Sequence, residues 1–126
     1  MPRTRLEHAN ITVSDLTRTV SWMENVFGWK VRWEGPSIHN GSTVHIGAPD
    51  SYLALYQSPN ALATPPDSYN TRAALNHLAV VVDDLDATEE RVASAGFTPR
   101  SHADYEPGRR FYFEDHDGIE YEVVQY

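Results

Sequence analysis

The chain of 126 residues contains two copies of one segment, and each copy carries a histidine at the same position. Residues 6–16 read LEHANITVSDL and residues 75–85 read LNHLAVVVDDL, so that His8 and His77 share one register. Each segment has the pattern of an apolar strand followed by a polar turn and a helix. A repeat of this length in a short chain predicts two copies of one supersecondary unit. The two histidines then occupy equivalent points of a pseudo-symmetric fold, where we expect them to converge.

Composition restricts the class of protein. A formal net charge of −8 argues against nucleic acid or an anionic membrane surface as a partner, since both need a basic face on the protein. The absence of cysteine excludes disulfides, thiolate nucleophiles and cysteine-ligated metals, and it fits a reducing cytoplasm. The N-terminus has no apolar signal core, and no apolar run approaches the roughly 18 residues of a membrane span. We therefore expect one cytoplasmic domain, residues 1–126.

Hydrophobic periodicity predicts the order strand, helix, strand, strand, strand in the first unit, about residues 5–57. A period of two over residues 6–13 predicts a strand with an apolar face and a polar face, and His8 lies on the polar face. Apolar residues at helical spacing predict a helix over residues 16–27 that Gly28 terminates. The remaining strands of this unit are predicted over residues 29–35, 42–48 and 51–57.

The second unit, about residues 75–126, repeats this order after a linker. Residues 58–74 have no period and contain three prolines, which is typical of a linker. A strand over residues 75–82 precedes a helix that begins with a candidate capping box at Asp86 and stops at Gly96. Further strands are predicted over residues 97–102, 110–114 and 120–125. The pattern predicts an α+β fold of two βαβββ units with helices on the outer faces and the other faces forming a cup.

The repeat extends into the last strand of each unit, where SYLALYQ aligns with IEYEVVQ. The repeat therefore gives four inward positions in two equivalent pairs. His8 corresponds to His77, and Ala54 corresponds to Glu122. Two imidazoles and one carboxylate are the donors of a facial triad, which leaves coordination positions open for water and substrate. Such a set suits one divalent ion per site, either Fe2+, Mn2+, Ni2+, Co2+ or Zn2+. A strand histidine taken alone is more often a surface or hydrogen-bonded residue, so the prediction depends on the equivalent registers.

At these residues the chain resembles the vicinal oxygen chelate superfamily, which includes glyoxalase I, fosfomycin-resistance thiol transferases, type I extradiol dioxygenases, methylmalonyl-CoA epimerase and bleomycin-resistance proteins. The resemblance covers nearly all of residues 5–126 and is most specific at the two repeated segments and at RRFYFEDHDGIEYEVVQY. This last stretch resembles the family's terminal motif, Asp-Pro-Asp-Gly with the ligand Glu four residues after the Gly, except that His116 replaces the proline. The resemblance implies metal ligands at His8, His77 and Glu122.

The resemblance also bears on activity. The fourth ligand of glyoxalase I would fall at Ala54, whose methyl group cannot coordinate a metal, and this disfavours glyoxalase I itself. Three retained ligands favour a metalloenzyme with dioxygenase-like or lyase- or transferase-like chemistry, which chelates vicinal oxygens of a small substrate. The alternative is a non-catalytic drug- or metabolite-binding protein like the bleomycin-resistance members. Small members of the family commonly form homodimers with shared sites, so we expect His8 of one chain to join the partner's His77 and the partner's Glu122.

Further candidates come from the extradiol pattern and from the strand faces. The resemblance implies an acid–base or oxygen-orienting role for His102 and a hydrogen bond from Tyr112 to substrate or bound oxygen. Alternatively, His102 is an exposed loop residue and Tyr112 only packs against other aromatic side chains. The substrate-binding candidates are Asn10, Tyr56 and Arg110. Of these, Arg110 is expected to bind an anionic group of the substrate. Two histidines near the first hairpin are expected to be solvated, namely His39 and His45.

Overall fold

The structure is a computed structural model that describes residues 2–63, 65–105 and 108–126. The chain forms two compact units, Met1–Leu62 (unit 1) and Ala63–Tyr126 (unit 2). Each unit contains one helix and one four-stranded mixed sheet. The α+β fold with two βαβββ units, predicted from the repeat, is therefore confirmed. In the described part of the chain, no helix combines the length and the apolar character that crossing a membrane requires.

Unit 1 follows the predicted order of elements, which are β1 (His8–Thr12), α1 (Leu16–Phe27), β2 (Lys30–Pro36), a 3-10 turn (Ile38–Asn40), β3 (Ser42–Gly47) and β4 (Tyr52–Gln57). The order of strands in the sheet is β1-β4-β3-β2. The first strand pairs in parallel with the last, and the other pairs are antiparallel.

Unit 2 repeats this topology with β5 (Leu78–Val81), α2 (Leu85–Ser94), β6 (Arg100–Tyr105), β7 (Gly108–Glu114) and β8 (Glu120–Gln125). The order of strands in the sheet is β5-β8-β7-β6, and β5 again pairs in parallel with β8. The predicted strand over residues 75–82 is shorter in the structure, and His77 stands immediately before its first residue.

The strand registers reproduce the internal repeat. Asn10 on β1 lies opposite Ala54 on β4, and Ala79 on β5 lies opposite Glu122 on β8. Asn10 and Ala79 are themselves equivalent in the two repeated segments. Ala54 and Glu122 therefore occupy equivalent points of the two sheets, as the alignment of the last strands predicts.

Both helices begin at an aspartate that the repeat aligns. The side chain of Asp15 accepts a hydrogen bond from the backbone N–H three residues further on at 3.1 Å, and that of Asp84 does the same at 3.0 Å. The predicted capping box at Asp86 is wrong, because this residue lies inside the first turn of α2 and pairs with Arg109. A cap needs an extended backbone to aim its side chain at the free amides, and Asp84 has φ −135° and ψ 96°.

Each helix ends near the glycine that the sequence predicts. Gly28 adopts φ 70°, and its N–H donates to the carbonyl of Glu24 at 3.0 Å, so it closes α1 in the left-handed conformation that glycine tolerates best. The second helix ends one residue earlier than predicted, with Ala95 as its cap and Gly96 following at φ 95°.

The core of each unit consists of apolar side chains from its helix and from the sheet face that the helix covers. The fully buried members in unit 1 are Met23, Val26, Ile46 and Leu55, and those in unit 2 are Val92, Phe111, Phe113, Tyr121 and Val123. Complete burial of each such side chain contributes roughly 1.5–3 kcal/mol. Because side chains alternate along a strand, the residues between these core positions face the opposite side of the sheet, which we call the open face. The predicted site residues on the strands lie on the open faces, with one exception described below.

Candidate metal centre

The carboxylate of Glu122 on the open face of unit 2 is the acceptor for neighbouring side chains on both of its oxygens. Its Oε1 accepts a hydrogen bond from the hydroxyl of Tyr112 at 3.0 Å and lies 3.2 Å from Nε2 of His77. Its Oε2 accepts from Nη1 of Arg110 at 2.9 Å. The side chains of Glu122 and Arg110 are only 12% and 10% exposed, so this ion pair is largely shielded from water.

The strand pairing brings these groups together. Tyr112 on β7 lies directly opposite Glu122 on β8, and Arg110 is two residues away on the same face of β7. On the other side of β8, the parallel strand β5 starts immediately after His77. The central position of β8 in the sheet therefore gives its carboxylate a neighbour from each side.

The turn before β8 fixes the register of that strand. Asp115 accepts hydrogen bonds through Oδ1 from the backbone N–H groups of Asp117 at 2.9 Å and Ile119 at 3.1 Å. Burial raises the pKa of Asp115, and these two backbone donors act in the opposite direction by favouring the carboxylate. Gly118 has φ 77°, a conformation that other residues adopt at a cost. His116, which replaces the family's proline, leaves this turn and the position of Glu122 in place.

The imidazole of His77 is held by the residue that precedes it in the chain. Its Nδ1 is within hydrogen-bond distance of Oδ1 of Asn76, and a carbonyl-type oxygen can only accept a hydrogen bond. In the tautomer in which Nδ1 donates to Asn76, the lone pair of Nε2 is directed at another acceptor, Glu122 Oε1. Two such acceptors 3.2 Å apart need a proton or a metal cation between them. A histidine whose other nitrogen is fixed in this way is typical of metal ligands.

The hydroxyl of Tyr112 is a proton donor at neutral pH. Burial raises its pKa above the ordinary value of about 10, and the hydrogen bond to the Glu122 carboxylate raises the pKa further. The phenol therefore stays protonated, and in this structure its hydrogen bond goes to Glu122; the predicted hydrogen bond to substrate stays a prediction.

Arg110 directs its guanidinium at acceptors of its own unit. Nε and Nη2 donate to the carbonyl of Gly108 at 3.3 and 3.2 Å, Nη1 donates to Glu122, and Cζ lies 4.9 Å from the centre of the Tyr105 ring. All three nitrogens are thus engaged. In this structure Arg110 is the partner of the Glu122 carboxylate and not an unpaired cation awaiting an anionic substrate.

Unit 1 arranges His8 in a corresponding way. Nδ1 of His8 lies 3.0 Å from Oε1 of Glu7, the preceding residue, and the same oxygen accepts from the hydroxyl of Tyr52 at 2.7 Å. The bonds from Tyr52 and His8 lower the pKa of Glu7, so this carboxyl stays ionised at neutral pH. The ring of His8 also stacks on Tyr52 with 5.0 Å between centroids. A polar residue immediately before each repeated histidine is a sequence signal for these contacts that our sequence analysis missed.

One histidine expected to be solvated is instead part of the open face of unit 1. His45 on β3 lies opposite Ala54, and its ring is 4.8 Å from that of Tyr52 and 5.1 Å from that of Trp33. It is half-buried because aromatic neighbours on the flanking strands enclose it. His39 is exposed, as expected.

The two remaining candidates of unit 1 differ in whether their polar groups are free to contact a ligand. Asn10 is exposed on the open face, opposite Ala54. Tyr56 lies on the same face two residues after Ala54, but its hydroxyl donates to the carbonyl of Ile38 at 2.6 Å. That bond holds the ring over Gly41, where a Cβ would come within 2.4 Å of it.

His102 is the exception among the strand residues, because it lies on the helix-bearing face of unit 2. Its Nε2 is 2.8 Å from Oε1 of Glu89 on α2, and its ring stacks on Phe111 at 5.9 Å. Phe111 points toward the core, whereas its neighbour Tyr112 points toward Glu122. The structure therefore does not bring His102 together with Tyr112, because residues of opposite parity on β7 face opposite sides of the sheet.

Among residues 2–63, 65–105 and 108–126, no group of three His, Asp or Glu side chains is arranged to hold a metal ion. Unit 2 supplies two donors, His77 and Glu122, at 3.2 Å from each other. Two ligands bound to one ion at about 2.1 Å are about 3.0 Å apart at a right angle and about 3.4 Å apart at the tetrahedral angle. The two donors of unit 2 therefore fit one divalent ion.

We predict that Arg110→Met lowers the free energy of unfolding by about 3–5 kcal/mol, because it leaves the shielded carboxylate of Glu122 without its cation. The adjacent Arg109 is the matched control. It pairs with Asp86 in an exposed setting, so Arg109→Met should cost less than about 1 kcal/mol. Denaturant titrations in metal-free buffer measure both values. Adding Glu122→Gln to Arg110→Met should recover part of the loss, and equal losses in the two single variants would contradict the assignment.

Comparison with known proteins places the chain in a family. The sequence matches the model of the Glyoxalase/Bleomycin resistance protein/Dioxygenase superfamily over residues 5–123. A glyoxylase/bleomycin resistance protein/dioxygenase domain from Frankia sp. EAN1pec has 26% identity and a TM-score of 0.83, with 98% of each chain covered. The fosfomycin resistance protein FosX from Mesorhizobium loti has 24% identity and a TM-score of 0.72, covering 98% of this chain and 92% of that one.

A third similar structure contains a metal. A mutant of FosX from Listeria monocytogenes, complexed with Mn(II) and 1S,2S-dihydroxypropylphosphonic acid, has 17% identity and a TM-score of 0.75, covering 97% of this chain and 92% of that one. The search of curated proteins found no match. Because the family model covers nearly the whole sequence, the chain belongs to the Glyoxalase/Bleomycin resistance protein/Dioxygenase superfamily.

Proposed function

We propose that this protein is a divalent-metal-dependent enzyme that chelates vicinal oxygens of a small substrate, with His8, His77 and Glu122 as the metal ligands. The observation that carries the proposal is the 3.2 Å contact between Nε2 of His77 and Oε1 of Glu122, two acceptors that a shared cation would bridge. Two imidazoles and a carboxylate suit Mn2+, Fe2+, Ni2+, Co2+ or Zn2+. The Mn(II) bound by the similar FosX from Listeria monocytogenes supports this class of ion.

The chemistry follows from the donor set. When bound, such an ion supplies Lewis acidity toward two neighbouring oxygens of the substrate, which suits dioxygenase-like, lyase-like or transferase-like reactions. Tyr112, kept protonated by burial and by the Glu122 carboxylate, would donate to a substrate oxygen by exchanging its present hydrogen bond to Glu122 for one to the substrate. Arg110 holds Oε2 of Glu122, so that Oε1 is the oxygen presented beside His77. With Ala54 at the fourth position, the chain lacks the additional carboxylate of glyoxalase I.

The second candidate function is a non-catalytic protein that binds a small molecule on the open faces. One observation favours it: Arg110 already neutralises the Glu122 carboxylate, which lowers the attraction of that group for a metal cation. The two functions differ in metal content, so the first experiment decides between them.

We predict that protein stripped with EDTA gains thermal stability on addition of Mn2+, because an ion that binds only the folded state stabilises it by about 2.7 kcal/mol at a hundredfold excess over Kd. His77→Ala and Glu122→Gln should remove the gain. His102→Ala is the control and should keep it, since His102 lies on the other face of its sheet. Thermal melts together with metal analysis measure the effect. A parent protein that does not respond to any of the five ions supports the binding protein instead.

The equivalence of Ala54 with Glu122 predicts the effect of Ala54→Glu. The new carboxylate should become a fourth ligand, which tightens metal binding and steeply lowers native activity by occupying a position that substrate needs. Ala54 is only 1% exposed, so a carboxylate that meets no metal would destabilise the fold by several kcal/mol. Melts with and without Mn2+ separate these outcomes, with Ala54→Gln as the uncharged control. A variant that melts lower than the parent and is not rescued by metal would show that residue 54 does not reach the ion.

We further propose a homodimer in which His8 of one protomer joins the partner's His77 and the partner's Glu122. Mixing two inactive variants tests the shared site. A heterodimer of His8→Ala with Glu122→Gln regenerates one intact ligand set, whereas either variant alone has none. We therefore expect metal binding to reappear after the two proteins are mixed and subunits exchange. Light scattering that gives a monomer at micromolar concentration rules out the dimer, and a dimer without recovery on mixing rules out the shared site.

A further inference from the structure

The open face of unit 1 borders a cleft of about 550 Å3 that is lined mainly by charged side chains. The residues that matter for its chemistry are Arg3, Arg5, Glu7, Arg32, Asp50 and Tyr52. Tyr52 also stacks on His8, so the cleft begins where the surroundings of the proposed ligand end. We propose that this cleft binds a small oxyanion, the carboxylate or phosphate group of a substrate.

The charge of the cleft is opposite to that of the chain. The protein has ten basic residues and a formal net charge of −8, yet three arginines line this one cleft. Of its two carboxylates, Glu7 is already engaged, because its Oε1 accepts from the Tyr52 hydroxyl and contacts the His8 ring. With both carboxylates ionised, three guanidinium groups still leave the cleft with an excess of positive charge, which attracts an anion.

Arg32 is held in a position suited to anion recognition. Its Cζ lies 4.4 Å from the centre of the Tyr52 ring, a cation–π arrangement, and its Nη1 is 3.5 Å from the carbonyl of Ala48. In the described part of the chain none of Arg3, Arg5 and Arg32 forms an ion pair with a carboxylate. Apart from the contact of Arg32 Nη1 with the Ala48 carbonyl, no hydrogen bond among the described residues occupies their guanidinium donors, which suit the two-pronged hydrogen bonding that guanidinium groups make with carboxylate and phosphate. Arg110, by contrast, is engaged with Glu122.

Together with the proposed function, on which this step rests, the cleft defines a substrate class. Tyr52 contacts both Arg32 and His8, so a molecule with an anionic group at Arg32 would have its remaining atoms within reach of His8. The substrate would carry two vicinal oxygens for the metal and, a few bonds away, a carboxylate or phosphate. The cleft as an anion site stands independently of the metal.

The test is a titration of EDTA-treated protein with inorganic phosphate and, separately, with acetate, followed by amide NMR shifts at constant ionic strength. We expect saturable shifts at residues around Glu7, Arg32 and Tyr52. Arg32→Gln and Arg5→Gln should each weaken binding about tenfold or more, the loss expected for a charge-assisted hydrogen bond. Arg32→Lys should recover only part of the affinity, because an ammonium group lacks the planar fork. The control is Arg18→Gln, the same change of charge on the exposed side of α1.

The anion titration has one set of results that supports the cleft and another that overturns it. Saturable binding of either anion that depends on Arg32 and Arg5 but not on Arg18 establishes the cleft, and the anion that binds more tightly gives the class of the substrate group. Arg5 forms no hydrogen bond or ion pair with another described residue, so its substitution keeps the test valid if Arg32→Gln disturbs the packing of Tyr52. Absence of saturable shifts, or equal loss in the Arg18 variant, overturns the proposal. Because metal is absent throughout, failure here leaves the metal centre untouched, and failure of the metal titration leaves the cleft untouched.

Discussion

The parallel pairing of the first and last strands determines the chemistry of each unit. Parallel neighbours cannot be joined by a tight turn, so a helix and two further strands intervene between them in the chain. The pairing nevertheless brings the strand that begins at His8, or immediately after His77, against the strand that carries position 54 or 122. Since side chains alternate, a shift of β8 by one residue in its register would turn the Glu122 carboxylate into the apolar core. The turn at Asp115 keeps that register by fixing where β8 begins, and the helix caps fix where the first strand of each unit ends.

The carboxylate of Glu122 contacts Arg110 through one oxygen and His77 through the other. Arg110 holds one oxygen in a shielded ion pair, and the other oxygen faces Nε2 of His77. An uncompensated carboxylate at this depth is costly, and Arg110 compensates it when no metal is bound. The same guanidinium orients the carboxylate so that its second oxygen remains available. If Glu122 is a metal ligand, as we propose, this arrangement holds its carboxylate in position before the ion binds.

The two units share a scaffold but present different surfaces. Each repeated histidine has its Nδ1 held by the preceding residue, Glu7 in one unit and Asn76 in the other. Beyond that, unit 2 surrounds its histidine with a carboxylate and a phenol, whereas unit 1 has a methyl group at Ala54 and a stack of aromatic rings. The same scaffold thus carries different side chains on the open faces of its two units.

Local patterns determined the elements, and long-range contacts determined the roles of the side chains. Alternation and helical spacing gave α1 with its observed bounds, and the duplicated segment identified Ala54 and Glu122 as equivalent, because both signals lie within short stretches of sequence. Spacing alone misplaced the second helix cap at Asp86, since backbone conformation at Asp84 decides which carboxylate reaches the free amides.

Contacts between distant residues required the folded chain. The pairing of Arg110 with Glu122, the enclosure of His45 by Tyr52 and Trp33, and the placement of His102 beside Glu89 each depend on which strand or helix lies next to which. The spacing of residues along the sequence does not show which strands and helices are neighbours in the fold. The sequence by itself therefore determined which residue types were present for metal chemistry, and the tertiary structure decided which of them were already engaged, because burial and hydrogen-bond geometry arise only when the sheets form.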